Sequence, residues 1–260
     1  EGIYKSKKLN IRSFKVYGDG ALGSRGAVLK SPYCDDPHNY GILRTSAEDL
    51  KFYAKEIAEM GFQMNTHAIG DSTVSVLLNE YKKILKDIDD PRWRIEHSQV
   101  VDINEFELYN EKILPSIQPT HATSDMYWAY DRLGSRIKGA YAFKDLLNSS
   151  SRVALGTDFP VEKVNPFHTF YSSVERKDLS GYPENGFQME NSLTREETLK
   201  GMTIWGAYFN FEEHEKGSLE VGKSADFIVL NQNIMEVEAD LIPNTEVIQT
   251  YIDGELVYSK

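Results

Sequence analysis

Five residues able to bind a metal or move a proton recur where extended segments end: Lys15, His67, His97, His121 and Asp158. A neutral imidazole gives its lone pair to a borderline metal, and a carboxylate can both ligate and accept a proton. Two imidazoles with one carboxylate therefore make a zinc set. A histidine taken alone is more often a hydrogen-bonded structural ring. Here three of the six histidines and an aspartate end successive segments, and in parallel α/β folds those ends converge on one mouth where chemistry is done.

The elements that must position them alternate between extended and helical patterns, the signature of a parallel sheet with crossover helices. Ile11 to Tyr17 reads as a strand and Ser46 to Met60 as a helix, with Leu50, Tyr53, Ala54, Ile57 and Ala58 on one face, Ser46 and Asp49 as a capping box and Gly61 as a left-handed stop. Phe62 to Thr66 is a strand, Ser72 to Lys86 a helix and Arg92 to Glu96 a strand. Asp102 to Tyr109 reads as a helix capped by Asp102 and Glu105. A strand follows near Leu114 to Gln118, beginning after Pro115 or bulging at it, since proline lacks a ladder donor. A helix near Gly139 to Leu147 and a strand at Arg152 to Leu155 complete five βα units, followed by helical stretches at Pro166 to Val174 and Thr194 to Tyr208. From Gly217 the residues alternate apolar and polar around Gly-Lys and Asp-Gly turns, so the domains divide as 1–216 and 217–260.

One rival motif competes. Gly18-Asp19-Gly20-Ala21-Leu22-Gly23 satisfies G-x-G-x-x-G, but a dinucleotide site needs a helix opening at those glycines, and Gly26 and Pro32 intervene before the next helical period at Ser46. A long mobile loop is the better reading. Arg25 within it is a candidate substrate contact or a solvated loop charge. Trp128, with Tyr127 and Tyr130, is a candidate wall of an apolar substrate pocket or part of its loop's own small core. His38, His168 and His214 read as structural.

Composition limits the partners. The 29 Lys and Arg against 40 Asp and Glu give a net charge of −11, and no basic run could neutralise phosphates, so neither nucleic acid nor an anionic membrane is an expected partner. Cys34 is the single cysteine, which fits a reducing compartment. With no apolar signal core or spanning segment, the expected location is cytoplasmic.

The strings FKVYGDGALGSRGA (Phe14 to Ala27), THAIGD (Thr66 to Asp71), RIEHSQ (Arg94 to Gln99), SIQPTHA (Ser116 to Ala122) and ALGTDFPV (Ala154 to Val161) resemble those of the amidohydrolase superfamily, most closely its YtcJ-like branch that includes N-substituted formamide deformylases. GSLEVGKSADFIVL (Gly217 to Leu230) is similar to the strand pair that completes their β-sandwich. The resemblance implies a partial (β/α)8 TIM-type barrel, about strands four to eight, with part of a small β-sandwich. It implies a hydrolase of amide, formamide or cyclic amide C–N bonds that uses a metal-activated water and one or two divalent ions, Zn²⁺ first. His67 and His97 would be metal ligands, Asp158 a ligand and proton acceptor, and Lys15 either a carbamylated bridge between two metals or an ordinary solvent-facing lysine. His121 would orient or polarise the substrate carbonyl, or support the site from behind. The small molecule substrate itself is not specified.

The family's barrel has eight units and opens with a His-x-His pair, and no His-x-His occurs here. The expectation is a fragment lacking strands one to three and two ligands, a natural non-catalytic remnant being the alternative. Its exposed sheet edges should be covered by self-association or by the N-terminal segment of the same protein.

Overall fold

The computed structural model describes residues 2–260. In chain order, β1 (Tyr4–Lys5), β2 (Asn10–Ile11) and β3 (Ser13–Tyr17) precede α1 (Ala47–Glu59), β4 (Gln63–Ala68), α2 (Asp71–Ile84), β5 (Trp93–His97) and β6 (Ile113–Ile117). Next come α3 (Pro119–Asp125), α4 (Ala129–Leu133), α5 (Phe143–Ser150), β7 (Ala154–Leu155), α6 (Pro166–Glu175), α7 (Arg195–Met202) and α8 (Ile204–Phe209). β8 (Phe227–Leu230), β9 (Val247–Ile252) and β10 (Glu255–Ser259) end the chain. The fold is α/β, and it separates into two compact units: residues 1–117 with 125–153, and residues 118–124 with 154–260.

In the first unit β3, β4, β5 and β6 pair in that order, all parallel. Met64, Trp93, Ile95 and Leu114 are buried in it, together with Val74, Leu77, Leu78 and Tyr81 of α2. The Tyr81 ring meets Trp93 edge-on at 4.8 Å, and its hydroxyl lies 2.6 Å from Thr66 Oγ1. The α1 start is set by Ser46, which accepts the Asp49 amide, and Gly61 (φ +73°) ends the connection. The expected first strand is bent into two, because Asn10–Ile11 pairs antiparallel with β1 while Ser13–Tyr17 pairs with β4.

Three expectations fail locally. Asp102 to Tyr109 holds only a single 3-10 turn at Phe106–Leu108: Asp102 accepts the amide of Asn104 in a tight turn, and it and Glu105 both bind Lys30 Nζ, so neither side chain caps a helix. β6 runs straight through Pro115 with unshifted register, Ile95 opposite Pro115; the missing donor affects only one side of a strand. The Thr194 to Tyr208 stretch breaks at Thr203 (φ −128°, ψ −95°) into α7, begun by a Thr194/Glu197 capping box, and α8.

The loop from Gly18 to Thr45 is packed, not the mobile cover expected. Leu22, Ala27, Leu29 and Tyr33 are buried, and a Cβ at Gly70 would lie 2.1 Å from the Val28 carbonyl oxygen. The glycines serve close backbone approach.

In the second unit α6 presents Phe170 and Tyr171 to Ile242, with Val174, Met202, Ile234 and Val237 around them. Its N-cap Asn165 accepts the Phe167 amide, and Arg176 (φ +54°) ends it, donating Nε to the Phe187 carbonyl. β8, β9 and β10 form the antiparallel sheet expected for the tail, in order β10-β9-β8.

Candidate active site

Parallel register brings strand ends to a common level. Tyr17 lies opposite His67, and His67 opposite Glu96, so these three share one face of the sheet. His97 falls opposite Ala68 and would point to the other face by alternation. It does not, because β5 ends in two left-handed residues, His97 (φ +75°) and Ser98 (φ +44°). That turn brings the His97 ring edge-on to His67, centroids 4.5 Å apart. Left-handed backbone is costly for a non-glycine residue and persists where surroundings over-determine it. Here Ser98 Oγ donates to the Ile95 carbonyl and accepts from the buried Tyr109 hydroxyl.

The His67 ring is enclosed. Tyr17 packs against it at 5.4 Å, and Lys15, exposed on β3, sets its Nζ 5.4 Å from the Tyr17 ring centroid. Glu96 is engaged by Arg94 Nε at 3.0 Å. Asp19, buried, accepts the amides of Val28, Ile69 and Gly70 at 2.9–3.0 Å, and its Oδ1 is 3.6 Å from His67 Nε2. Burial pushes its carboxyl above the ordinary range, and the three amides pull it back.

Nearby in the same unit, Gln99 Nε2 and the Tyr141 hydroxyl both donate to Asp125 Oδ2, at 3.2 and 2.8 Å. Arg25 grips Asp35 through two hydrogen bonds, Arg132 binds the same carboxylate, and the Arg132 guanidinium stacks 5.5 Å from the Trp128 ring. Arg25 and Trp128 are thus joined through Asp35 and Arg132, with Gly23 packed on the indole. The Arg25 guanidinium foremost, with Arg132, holds the Asp35 carboxyl below its usual range.

The second unit carries His121 and Asp158. His121 lies buried on α3, with Nε2 3.9 Å from Glu162 Oε1. Ser124 Oγ donates to that oxygen at 2.8 Å. Desolvation lowers the His121 pKa, while Glu162 and Asp158 oppose it. Asp158 is exposed and left-handed (φ +52°) in a tight turn in which its carbonyl accepts the Val161 amide. A cavity of about 170 Å³ opens beside this group, lined by Thr120, Ser124, Glu162, Lys163 and His168 among others. His168, read as structural, thus borders the site; His214 is solvent-exposed.

Two neighbouring imidazoles are the donors a zinc-type ion takes. Among the described residues no three His, Cys, Asp or Glu side chains form a complete cluster. The residues present fit such an ion as part of its shell. Glu162 and the Gln99–Asp125–Tyr141 group escaped the sequence reading, and Asp19 entered it only through the glycine motif and as a replacement ligand. Glu162 follows Asp158 by four positions in DFPVE, the one local hint; Asp19 sat inside the glycine motif with partners some fifty residues away.

The amidohydrolase family pattern matches residues 3–258, so the chain belongs to that family. Its place is in the YtcJ-like branch. It is 33% identical over 252 residues to the putative amidohydrolase YtcJ of Bacillus subtilis, covering 95% of this chain and 47% of that protein. It is 31% identical to the protein LONG AFTER FAR-RED 3 of Arabidopsis thaliana, covering 99% of this chain and 45% of that one. Among solved structures, an uncharacterized metal-dependent hydrolase from Pyrococcus horikoshii superposes with a TM-score of 0.79 at 29% identity, over 92% of this chain and 48% of that one. The chain spans about half the length of the relatives it matches.

Proposed function

We propose that this chain supplies the C-terminal part of a metal-dependent hydrolase that cleaves non-peptide C–N bonds of an amide, formamide or cyclic amide. The observation that carries the reading is the His67–His97 ring pair at the ends of adjacent parallel strands. In this reading the parallel sheet is about strands four to eight of a (β/α)8 barrel, and β8–β10 are part of a β-sandwich. His67 and His97 would hold a divalent ion, Zn²⁺ first, and Asp158 would be a further ligand. A bound ion of this kind lowers the pKa of a coordinated water toward about 7. Asp158 takes a proton from the attacking water and returns it to the leaving nitrogen. His121, kept neutral by burial, donates to the substrate carbonyl. Arg25 and Trp128 border the substrate, and Lys15 becomes carbamylated only where two ions stabilise the adduct.

The likeness to a putative amidohydrolase and to a metal-dependent hydrolase supports this class. An N-substituted formamide deformylase of Arthrobacter pascens, 21% identical, supports the inclusion of formamides. The test is to assay the full-length protein against N-substituted formamides, linear amides and cyclic amides, before and after chelation. Hydrolysis lost with chelator and restored by Zn²⁺ is expected; hydrolysis indifferent to chelation overturns the mechanism.

The partner follows from β3. It is the edge strand of its sheet, with Phe14 and Tyr17 exposed, and such an edge templates further pairing. The N-terminal segment of the same protein covers it. Mixing this chain with that segment should give a stable 1:1 complex; self-association unaffected by the segment would instead favour a second copy.

A further inference from the structure

We propose that the cavity of the second unit is a subsite for a carboxylate carried by the substrate, with Lys163, His168 and Thr120 as its donors. The inference rests on the reading of this chain as part of an amide hydrolase and adds a substrate class: amides that also bear a carboxylate. The cavity measures about 170 Å³, and every residue that lines it belongs to the second unit. An apolar cavity of about 150 Å³ takes up benzene, so the space admits a carboxylate on a short carbon chain. Its wall reaches His121 through Ser124, one turn further along α3, whose hydroxyl donates to Glu162 at 2.8 Å.

The polar groups of the wall divide into those already engaged and those open to a ligand. Thr123 donates to the Thr120 carbonyl, and its hydroxyl lies 3.1 Å from that of Ser172. Two carboxylates border the space, and both accept hydrogen bonds. Asp178 Oδ1 takes the Ser180 and Tyr182 amides and the Ser180 hydroxyl at 2.7–3.0 Å, and Glu162 Oε1 takes Ser124. The buried Thr120 hydroxyl, by contrast, has no hydrogen-bond partner among the described residues, a costly state unless a ligand meets it. Lys163, exposed at the rim, forms no ion pair among the described residues. His168 supplies the third donor. Asn165 Oδ1 accepts the Phe167 amide, so its side-chain nitrogen is the group that donates to His168 Nε2 at 3.2 Å. A neutral ring whose Nε2 accepts carries its proton on Nδ1. Burial foremost, then the Lys163 charge, pushes the His168 pKa down and keeps the ring neutral at pH 7. One cation and two neutral donors match the lone pairs of a carboxylate. An ammonium group would meet Lys163 as a like charge.

The full-length protein should be assayed on amides identical but for one side group: a carboxylate, its carboxamide, or an ammonium. The carboxylate form should be preferred, and Lys163→Met should lower its kcat/KM relative to that of the carboxamide roughly 10–100-fold, mainly through KM. Preference for the ammonium form, or an acid-to-amide ratio that Lys163→Met leaves unchanged, overturns the proposal. Binding is read separately in the metal-free full-length protein with ¹³C-labelled histidine, the His168 signal being assigned by its loss in His168→Gln. Propionate should shift that signal saturably, and propionamide and propylammonium should not. Equal shifts with all three, or none with propionate, also overturn the proposal. If Lys163→Met does not fold, the propionate titration of the unaltered protein decides. Failure to hydrolyse any amide, with His168 still shifted by propionate alone, would sink the hydrolase reading and leave the carboxylate subsite standing.

Discussion

The two units carry candidate residues of opposite character. In the first, His67 and His97 end strands of a parallel sheet, and the surrounding loop is packed, glycine-fitted and bound through buried Asp19. In the second, His121 sits on a helix of seven residues, and its acidic neighbours Asp158 and Glu162 belong to the stretch before α6. In the proposed reading the first pair grips a metal from strand ends, where register fixes it, and Asp158 moves a proton from a turn open to solvent.

The sharpest way to break that comparison is to remove the grip. His67→Ala with His97→Ala in the full-length protein should abolish turnover and reduce bound metal to background by elemental analysis. Retained stoichiometric metal would show that the ring pair is structural. Asp158→Asn should behave differently, leaving some metal bound while turnover falls roughly 10²–10⁴-fold. Equal loss of metal in both variants would erase the distinction between gripping and proton transfer.

Stability should separate the units next. Trp93→Ala in the first and Phe170→Ala in the second each remove a fully buried aromatic ring and should cost about 3–5 kcal/mol in denaturant unfolding. If each substitution shifts a separate transition, the units fold independently; a single shared transition makes them one cooperative body.

A smaller effect concerns pH. The folded-state pKa of His121 is depressed, chiefly by desolvation, so the folded protein disfavours its protonation. The stability this neutral ring contributes is present above the unfolded value of about 6.5 and is lost as pH falls through the lower folded value. His121→Gln should flatten the decline of stability below that pH, as read by unfolding midpoints. An unchanged slope would show that His121 is not the group responsible.

The smallest effect is expected at Arg25, paired with Asp35 on the surface. Arg25→Ala should leave the melting temperature essentially unchanged and raise KM with kcat unaltered if it contacts substrate. No kinetic change would restrict it to holding its loop.

The sequence alone determined the α/β alternation, the helix starts at Ser46 and Thr194, the antiparallel tail, and the positions of His67 and His97 where strands end, with His121 and Asp158 just past two others. Those features are local: periodicity, caps and turns act over a few residues, and a strand end is visible where a hydrophobic run stops. Only the tertiary structure decided that His97 turns back toward His67, since alternation points it the other way and two left-handed residues reverse it. It also decided that Asp102 and Glu105 serve Lys30 instead of capping a helix, and that Asp19 serves Ile69, Gly70 and His67 instead of a nucleotide. For the three carboxylates the physical reason is the same: each takes donors wherever the chain brings them, and donors some fifty or more residues away leave no mark on the sequence beside it.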